Sequence, residues 1–352
     1  MENIEDLRSG MRRIDDGIME LIGERLKISE KMGVIKAAAG KGVRDVAVER
    51  TTLERFRALA DMVGLSPEAA EDICRILTEQ SIGIQASVPR GSSKRKSIAI
   101  IGGHGQMGRM MQRLLGRSDH EIVIIDPAAK NGRSLGDAAD ADIVIVSVPI
   151  SSVSGVLRDL DGICREDALI FDISSLKSPF LHVLKDMASR RRVCSVHPMF
   201  GPSVRSMHGR NLIVCDCGSD EAANMAVELM KDQGADIRVI PVDQHDMYMS
   251  YVLGLSHIVN IAFFTVLERS GISFGEMCSV ASTTFDKMID TNMSVALEDP
   301  HLYYEIQHLN VNRNKMLSEL GDAIRAVSDA ALSDDSEEFS NLMLRGRSYL
   351  EE

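Results

Sequence analysis

The chain has 352 residues, a formal charge of -12 and a pI near 5.3. That length accommodates two or three domains, each with its own core. An acidic chain with one short basic segment argues against nucleic acid or an anionic membrane as the main partner and leaves a small metabolite as the expected ligand. Six cysteines, Cys74, Cys164, Cys194, Cys215, Cys217 and Cys278, are scattered without zinc spacing, so reduced, mostly core thiols and no metal site are expected. The acidic start MENIEDLRSG has no apolar signal region, and no later run reads as long and apolar enough to cross a bilayer. A cytoplasmic protein is the expectation.

Residues 1–88 read as helix. Apolar residues recur at Ile4, Leu7, Met11, Ile14, Ile18, Leu21, Ile28, Met32 and Ile35, three and four apart, which is the spacing of a coiled-coil-like seam reaching to about Ala38. One seam position is Arg25, a permanent charge where a leucine belongs. A second helix runs through ERTTLERFRALADMVG, and a third opens with Ser66 as N-cap and Pro67 in the first turn. ASVPRGSSKRKS follows as a solvated linker, placed at 89–97.

From Ser97 the pattern becomes short β-branched runs separated by amphipathic stretches: SIAIIGG, HEIVIID, ADIVIVSVP, ALIFDIS, RVCSVHP, NLIVCD and ADIRVIP. Strands alternating with helices imply a parallel, doubly wound α/β domain of the Rossmann type over 98–243. Residues 244–352 are helical again and rich in Met, Leu and Ala. The expected architecture is a multidomain chain: an all-α module, an α/β nucleotide-binding domain and an all-α C-terminal domain.

SIAIIGGHGQMGRMMQRLL places Gly103, Gly105 and Gly108 as G-x-G-x-x-G between a strand and a helix, with Gln106 and Met107 inside the same cofactor loop. Glycines there let the backbone approach a pyrophosphate whose charge the helix N-terminus stabilises. Asp126 ends the next strand, where its carboxylate accepts from ribose hydroxyls and repels a 2'-phosphate, so NAD is expected rather than NADP. VIVSVPI is expected as the fourth-position strand end, with Ser147 and Pro149 beside the nicotinamide.

Two further strand ends carry polar groups: FDISSLKSP with Ser174, Ser175 and Lys177, and SVHPMFGP with His197. Ligands of open α/β sheets bind at the carboxyl edge. Oxidising an alcohol by hydride transfer requires a group that accepts the hydroxyl proton, and His197 has the ionisation range for that task. Capping of the following turn is the other reading of His197, and an exposed lysine at a helix start is the other reading of Lys177.

GGHGQMG, VIVSVPI, SSLKSP and above all HPMFGP together resemble prephenate dehydrogenase, in the form fused behind an all-helical chorismate mutase. The resemblance covers nearly the whole chain. It implies oxidation of prephenate with NAD, loss of carbon dioxide and formation of 4-hydroxyphenylpyruvate for tyrosine synthesis. It further implies that His197 contacts the substrate 4-hydroxyl, that Ser175 supports it, and that Lys177 lies near substrate or cofactor. QHDMYMSYVLGLSHIV is similar to the family's first helix after the sheet, matching His245 and His257, with His257 reaching the substrate. The pattern departs between Phe285 and Ser294, where the family carries an arginine for the ring carboxylate and this chain has only Lys287 as a cation. Arg205 and Arg210 are the substitutes considered, without assignment.

The N-terminal region resembles the all-helical chorismate mutase fold, an intertwined dimer of three-helix chains. In that family chorismate rearranges with no covalent intermediate, so cations inside the bundle fix its carboxylates and stabilise charge on the breaking ether oxygen. The matching positions are Arg8, Arg25, Lys36, Asp45, Glu49, Ser81 and Gln85. Arg25 and Lys36 stand about 16 Å apart along one helix face, whereas Arg8 is roughly 25 Å from Arg25 and must come from a partner chain. Ser81 and Gln85 share a face one turn apart; Gln85 is expected to donate to the ether oxygen, with Asp45 and Glu49 orienting the ligand hydroxyl and the cations. Val48 departs from the family's arginine one residue before the glutamate. A homodimer acting on chorismate and prephenate follows from the resemblance. The competing reading is a monofunctional prephenate or arogenate dehydrogenase whose helical module only dimerises or senses a ligand.

Overall fold

The computed structural model describes residues 3–86, 88, 95–116, 120–126, 132–204, 206–231 and 233–351. Most of the expected linker, and Arg205, lie outside these. The chain divides into two compact units: Met1–Val148 with Ser152–Ser174 and His182–Ile240, and Pro149–Ser151 with Ser175–Leu181 and Pro241–Glu352.

The first unit begins with three helices. Helix α1, Ile4–Ala38, starts at a capping box in which the Asn3 side chain accepts from the backbone N–H groups of Glu5 and Asp6. Its 35 residues span about 52 Å. Helix α2, Val46–Val63, is capped at one end by Asp45, whose Oδ1 accepts from Val48 N at 3.2 Å, and ended by Gly64 in the left-handed region. Helix α3, Pro67–Ala86, has the expected start, with Ser66 Oγ accepting from Ala69 N.

The apolar seam of α1 does not pack against its own chain. Leu7, Met11, Ile18, Leu21, Ile28 and Ile35 are exposed, whereas α1 meets α3 through the buried Ser29 and Gly33. A Cβ at Gly33 would lie 2.9 Å from Gln85 Cα, so glycine is what permits this close approach. Arg25 belongs to that small-residue face and turns toward α3. Period alone therefore placed Arg25 in a stripe from which its side chain departs.

The sheet has seven strands: β1 Ser97–Ile101, β2 Glu121–Ile125, β3 Ile143–Val146, β4 Leu169–Asp172, β5 Val193–Pro198, β6 Asn211–Asp216 and β7 Asp236–Pro241. Their order is β2-β1-β3-β4-β5-β6-β7. The β-branched runs of β1, β3 and β4 are buried because helices cover parallel strands on both faces. β1 to β5 are parallel, but β6 runs antiparallel to β5. The wholly parallel expectation fails there because a loop, not a crossover helix, joins β5 to β6. β3 is third in the order, next to β1, rather than fourth. Helices α4 Gln106–Leu115, α5 Ile150–Ile163, α6 Leu181–Ala188 and α7 Asp220–Lys231 accompany the strands.

The second unit is helical: α8 Val242–Met249, a π turn over Ser250–Leu255, α9 Ser256–Arg269, α10 Phe274–Ser279, α11 Thr283–Ala296, α12 Pro300–Leu309, α13 Arg313–Leu332 and α14 Glu337–Leu350. The π turn fuses α8 and α9 into one 28-residue helix, Val242–Arg269, which contains an 18-residue stretch of mean hydropathy 1.6. This corrects the expectation that no run is long and apolar enough to cross a bilayer: by length and composition this one is. The buried His245 and Asp246 near its start hid its length from a reading by apolar runs. Gln307 Nε2 donates to the Gly254 carbonyl at 2.8 Å, satisfying a backbone group within the π turn.

Candidate active sites

Inside the three-helix module, Arg25 Nη1 donates to the Leu77 carbonyl at 2.5 Å and to Ser81 Oγ. Among the described residues the Nε and Nη2 donors of Arg25 have no protein partner, leaving part of its planar fork available to an anion. Gln85, one turn past Ser81, is buried, and its Oε1 has no hydrogen-bond partner among the described residues. A buried amide oxygen left unmatched costs stability unless a ligand or water completes it. Lys36 Nζ is held by the Val43 carbonyl at 2.7 Å. Arg25, Ser81 and Gln85 thus converge. Asp45 instead serves as the α2 N-cap, and Arg8 stands exposed, paired with Glu5 at 2.6 Å.

Val48 is exposed and supplies no cation. A residue that spacing did not single out does: Arg44 Nε lies 3.3 Å from Glu49 Oε1, and its Nη1 donates to Asp236 Oδ2 at 2.8 Å. No periodicity pairs positions 44 and 236, so sequence carries no signal for this contact. Arg210, considered for the ring carboxylate, lines a cavity of about 400 Å³ together with Arg44, Glu49 and other residues of α2 and α3.

At the start of the sheet, the tight turn after β1 is made by Gly102, with φ +78°. A Cβ there would sit 2.2 Å from the Ser147 carbonyl oxygen. Gly102 stands one residue ahead of the three glycines of the motif, and its only sequence signal is the doubled glycine. Gly103 leaves no room for a Cβ against Ile124, and a Cβ at Gly108 would meet the Gly102 carbonyl at 2.5 Å. Helix α4 begins at Gln106 behind Gly105, which offers no side-chain cap. The first N–H groups of α4, Gln106 and Met107 among them, therefore lack a capping side chain and face a glycine cradle, a fit for a pyrophosphate. Asp126 Oδ2 accepts from His104 N at 2.8 Å, which ties the acidic end of β2 to the glycine loop.

Gly102→Ala should lower the melting temperature, since the left-handed conformation alone costs about 1–2 kcal/mol for an L-residue and the clash adds to it. Titration with the dinucleotide should weaken in parallel. An alanine variant with unchanged melting and binding would refute the turn's role.

His197 is buried on β5, and Ser195, two residues before, points to the same face. Ser195 Oγ donates to Asp172 Oδ2 at 2.5 Å, and Asp172 Oδ1 accepts from Ser174 N at 2.8 Å. Asp172 and Ser195, both fully buried, tie the carboxyl end of β4 to the middle of β5. Sequence reading passed over them, although an aspartate ending an apolar strand was a visible signal.

In the second unit, Lys177 is 1% exposed, which overturns its reading as a solvent-facing helix-start lysine. Its backbone N–H donates to Asp246 Oδ1 at 2.9 Å, Ser178 N donates to Asp246 Oδ2 at 2.7 Å, and Ser178 Oγ also bonds there. His245 Nδ1 contacts Asp246 Oδ1 at 2.6 Å. Burial pushes the Asp246 carboxyl upward, but the His245 and Ser178 bonds outweigh it and hold it below the ordinary carboxylate range. Asp246 thereby pins the Ser175–Leu181 segment to α8. Ser175 is half-buried. His257 stacks on Tyr303, with ring centroids 4.2 Å apart. Burial pushes its imidazole down to about 4, so it is neutral near pH 7. Lys287 is exposed on α11, and Pro149 is exposed ahead of α5.

Comparison with known proteins assigns these parts. The family described as chorismate mutase type II matches residues 7–86. The prephenate dehydrogenase nucleotide-binding domain matches 117–239, and the prephenate dehydrogenase dimerization domain matches 241–345. The nucleotide-binding match begins after the glycine turn, so the cradle at Gly102–Gly108 stands on its own geometry. The T-protein of Enterobacter agglomerans is 26% identical over 310 residues, spanning 85% of this chain and 80% of its own. The T-protein of Haemophilus influenzae is 27% identical over 310 residues, spanning 87% and 81%. The crystal structure of prephenate dehydrogenase from A. aeolicus shares the fold at a TM-score of 0.60 and 18% identity, over 73% of this chain and 98% of that one. With a mutase match over the three-helix module and dehydrogenase matches over the sheet and the C-terminal helices, the chain belongs to the family of chorismate mutases fused to prephenate dehydrogenases.

Proposed function

We propose that the protein rearranges chorismate to prephenate in its three-helix module and oxidatively decarboxylates prephenate, with NAD as hydride acceptor, to 4-hydroxyphenylpyruvate. The observation that carries the reading is the polar cluster of Arg25, Ser81 and the unmatched buried Gln85, built in the same chain as an open glycine cradle. A bundle that only dimerised would be more stable with apolar residues at those positions.

For the rearrangement, Arg25 and Lys36 hold the two carboxylates in a compact conformer. Gln85 turns its amide N–H toward the ether oxygen as charge develops, and Glu49 orients the ring hydroxyl. Arg8 completes the site from a second copy of the chain. A homodimer is supported by the exposed α1 seam and by the match to a dimerization domain. The apolar face of Val242–Arg269 is assigned to that assembly.

For the oxidation, NAD when bound supplies the hydride acceptor. The chain's part is to cradle its pyrophosphate at Gly102–Gly108, to receive the adenosine ribose at Asp126 and to set Ser147 and Pro149 beside the ring. A ring nitrogen of His197 accepts the proton of the substrate hydroxyl as the ring carbon loses hydride and a carboxylate departs as carbon dioxide, and returns that proton to the phenolate oxygen of the aromatic product. By the family likeness Ser175, Lys177 and His257 contact the substrate side. Aromatisation of the ring supplies the driving force, so orientation is what the side chains contribute.

Purified protein given chorismate and NAD should produce NADH at 340 nm, and prephenate with NAD should do so without a lag. NADH from prephenate alone would leave only the dehydrogenase standing. An arogenate arm that outpaces prephenate would reassign the substrate.

A further inference from the structure

The described residues of the three-helix module meet the sheet domain within one compact unit, and the contact falls on the mutase side chains. Arg44, just ahead of the α2 N-cap, sets its guanidinium between two carboxylates: Glu49 Oε1 at 3.3 Å and Asp236 Oδ2 at 2.8 Å. Asp236 is the first residue of β7. The contact with Glu49 is an ion pair lacking hydrogen-bond alignment, so the buried Oε1 remains able to accept a bond from a ligand. His208, in the loop that joins β5 to β6, lies on the same junction and feels the charges of Arg44, Asp236 and Lys36. A Cβ at Gly83 of α3 would come 3.9 Å from Ser206 Cβ of that loop.

We infer that Arg44 is a positioning residue of the mutase site, aiming the Glu49 carboxylate at the ligand while Asp236 of the nucleotide-binding sheet fixes the guanidinium. The inference rests on the mutase reading of the helical module. Its physical basis is the geometry of the fork. A guanidinium offers donors along two edges at a fixed angle, so anchoring one edge on Asp236 sets the direction from which the other faces Glu49. Among the described residues the ion pair of Glu49 is with Arg44, a cation ahead of α2, whereas Val48, within α2, is exposed. The dehydrogenase sheet thus contributes to mutase turnover without touching chorismate.

The test uses the full chain and measures chorismate consumption and NADH formation from added prephenate separately. Arg44→Gln should lower mutase kcat about tenfold or more, within the roughly hundredfold that a 1 Å misplacement costs, and leave the KM for chorismate nearly unchanged. Arg44→Lys should recover part of the loss, because it restores the charge and not the fork. Asp236→Asn should lower mutase kcat about threefold, the scale of a half-exposed ion pair, and leave NADH formation from prephenate intact. Loss of both activities in step with a falling melting temperature would overturn the positioning role in favour of a merely structural junction. Wild-type mutase kcat in the Arg44→Gln and Asp236→Asn variants also overturns it. In that case the mutase reading stands, and Glu49→Gln shows whether the carboxylate acts at all; no chorismate consumption by the unmodified chain would instead bring down the mutase reading itself.

Discussion

Arg25→Ala should reduce chorismate turnover by about two to three orders of magnitude, the scale on which a preorganised charge contributes to a transition state. NADH formation from added prephenate should stay within about twofold of the unmodified protein, since Arg25 bonds to α3 and the glycine cradle is built on the β1 turn. The expectation rests on two properties of one side chain. Arg25 is fixed by Leu77 and Ser81, which lowers the cost of organising it when ligand arrives. Its remaining donors make no hydrogen bond among the described residues, which leaves them available to a carboxylate or ether oxygen. Arg25→Lys should fall between, because a lysine keeps the charge but not the planar fork. Loss of both activities together, with a lowered melting temperature, would assign Arg25 to holding α1 against α3 rather than to chemistry.

His197→Asn should lower NADH formation from prephenate by about two to four orders of magnitude, the usual contribution of a positioned general base. Asparagine keeps a hydrogen-bonding side chain of comparable size on β5 while removing the ability to take a proton in the neutral range. NAD affinity, read from protein fluorescence or calorimetric titration, should be unchanged, because the cradle lies on the β1 turn. Mutase turnover should also persist. Wild-type NADH formation in this variant would sink the assignment, and His245 and His257 would then be the remaining imidazoles to test in the α8–α9 helix. Of these, His257 carries no charge at neutral pH because burial pushes it down to about 4. His245 is committed to Asp246 at 2.6 Å.

The order of elements, the seven strands and the glycine motif were legible in the sequence because they depend on local pattern. Runs of β-branched residues, the capping residue Ser66, and glycine spacing act over a few residues. His197 was expected from its place at a strand's carboxyl edge, and the mutase positions were expected from resemblance, since the Arg25, Ser81 and Gln85 spacings match a known helical site. What only the tertiary structure decided are contacts between residues far apart in sequence. The α1 stripe reads as a core face, yet Ser29 and Gly33 make the contact with α3 because a close helix approach needs small side chains, and the apolar stripe is left exposed. Gly102 carries the tight turn because the Ser147 carbonyl occupies the space a Cβ would need. β6 reverses because no helix bridges it to β5. Lys177 is buried and Arg44 is shared between Glu49 and Asp236, since burial and charge pairing depend on which surfaces meet once the chain has closed on itself, and no period in the sequence encodes that meeting.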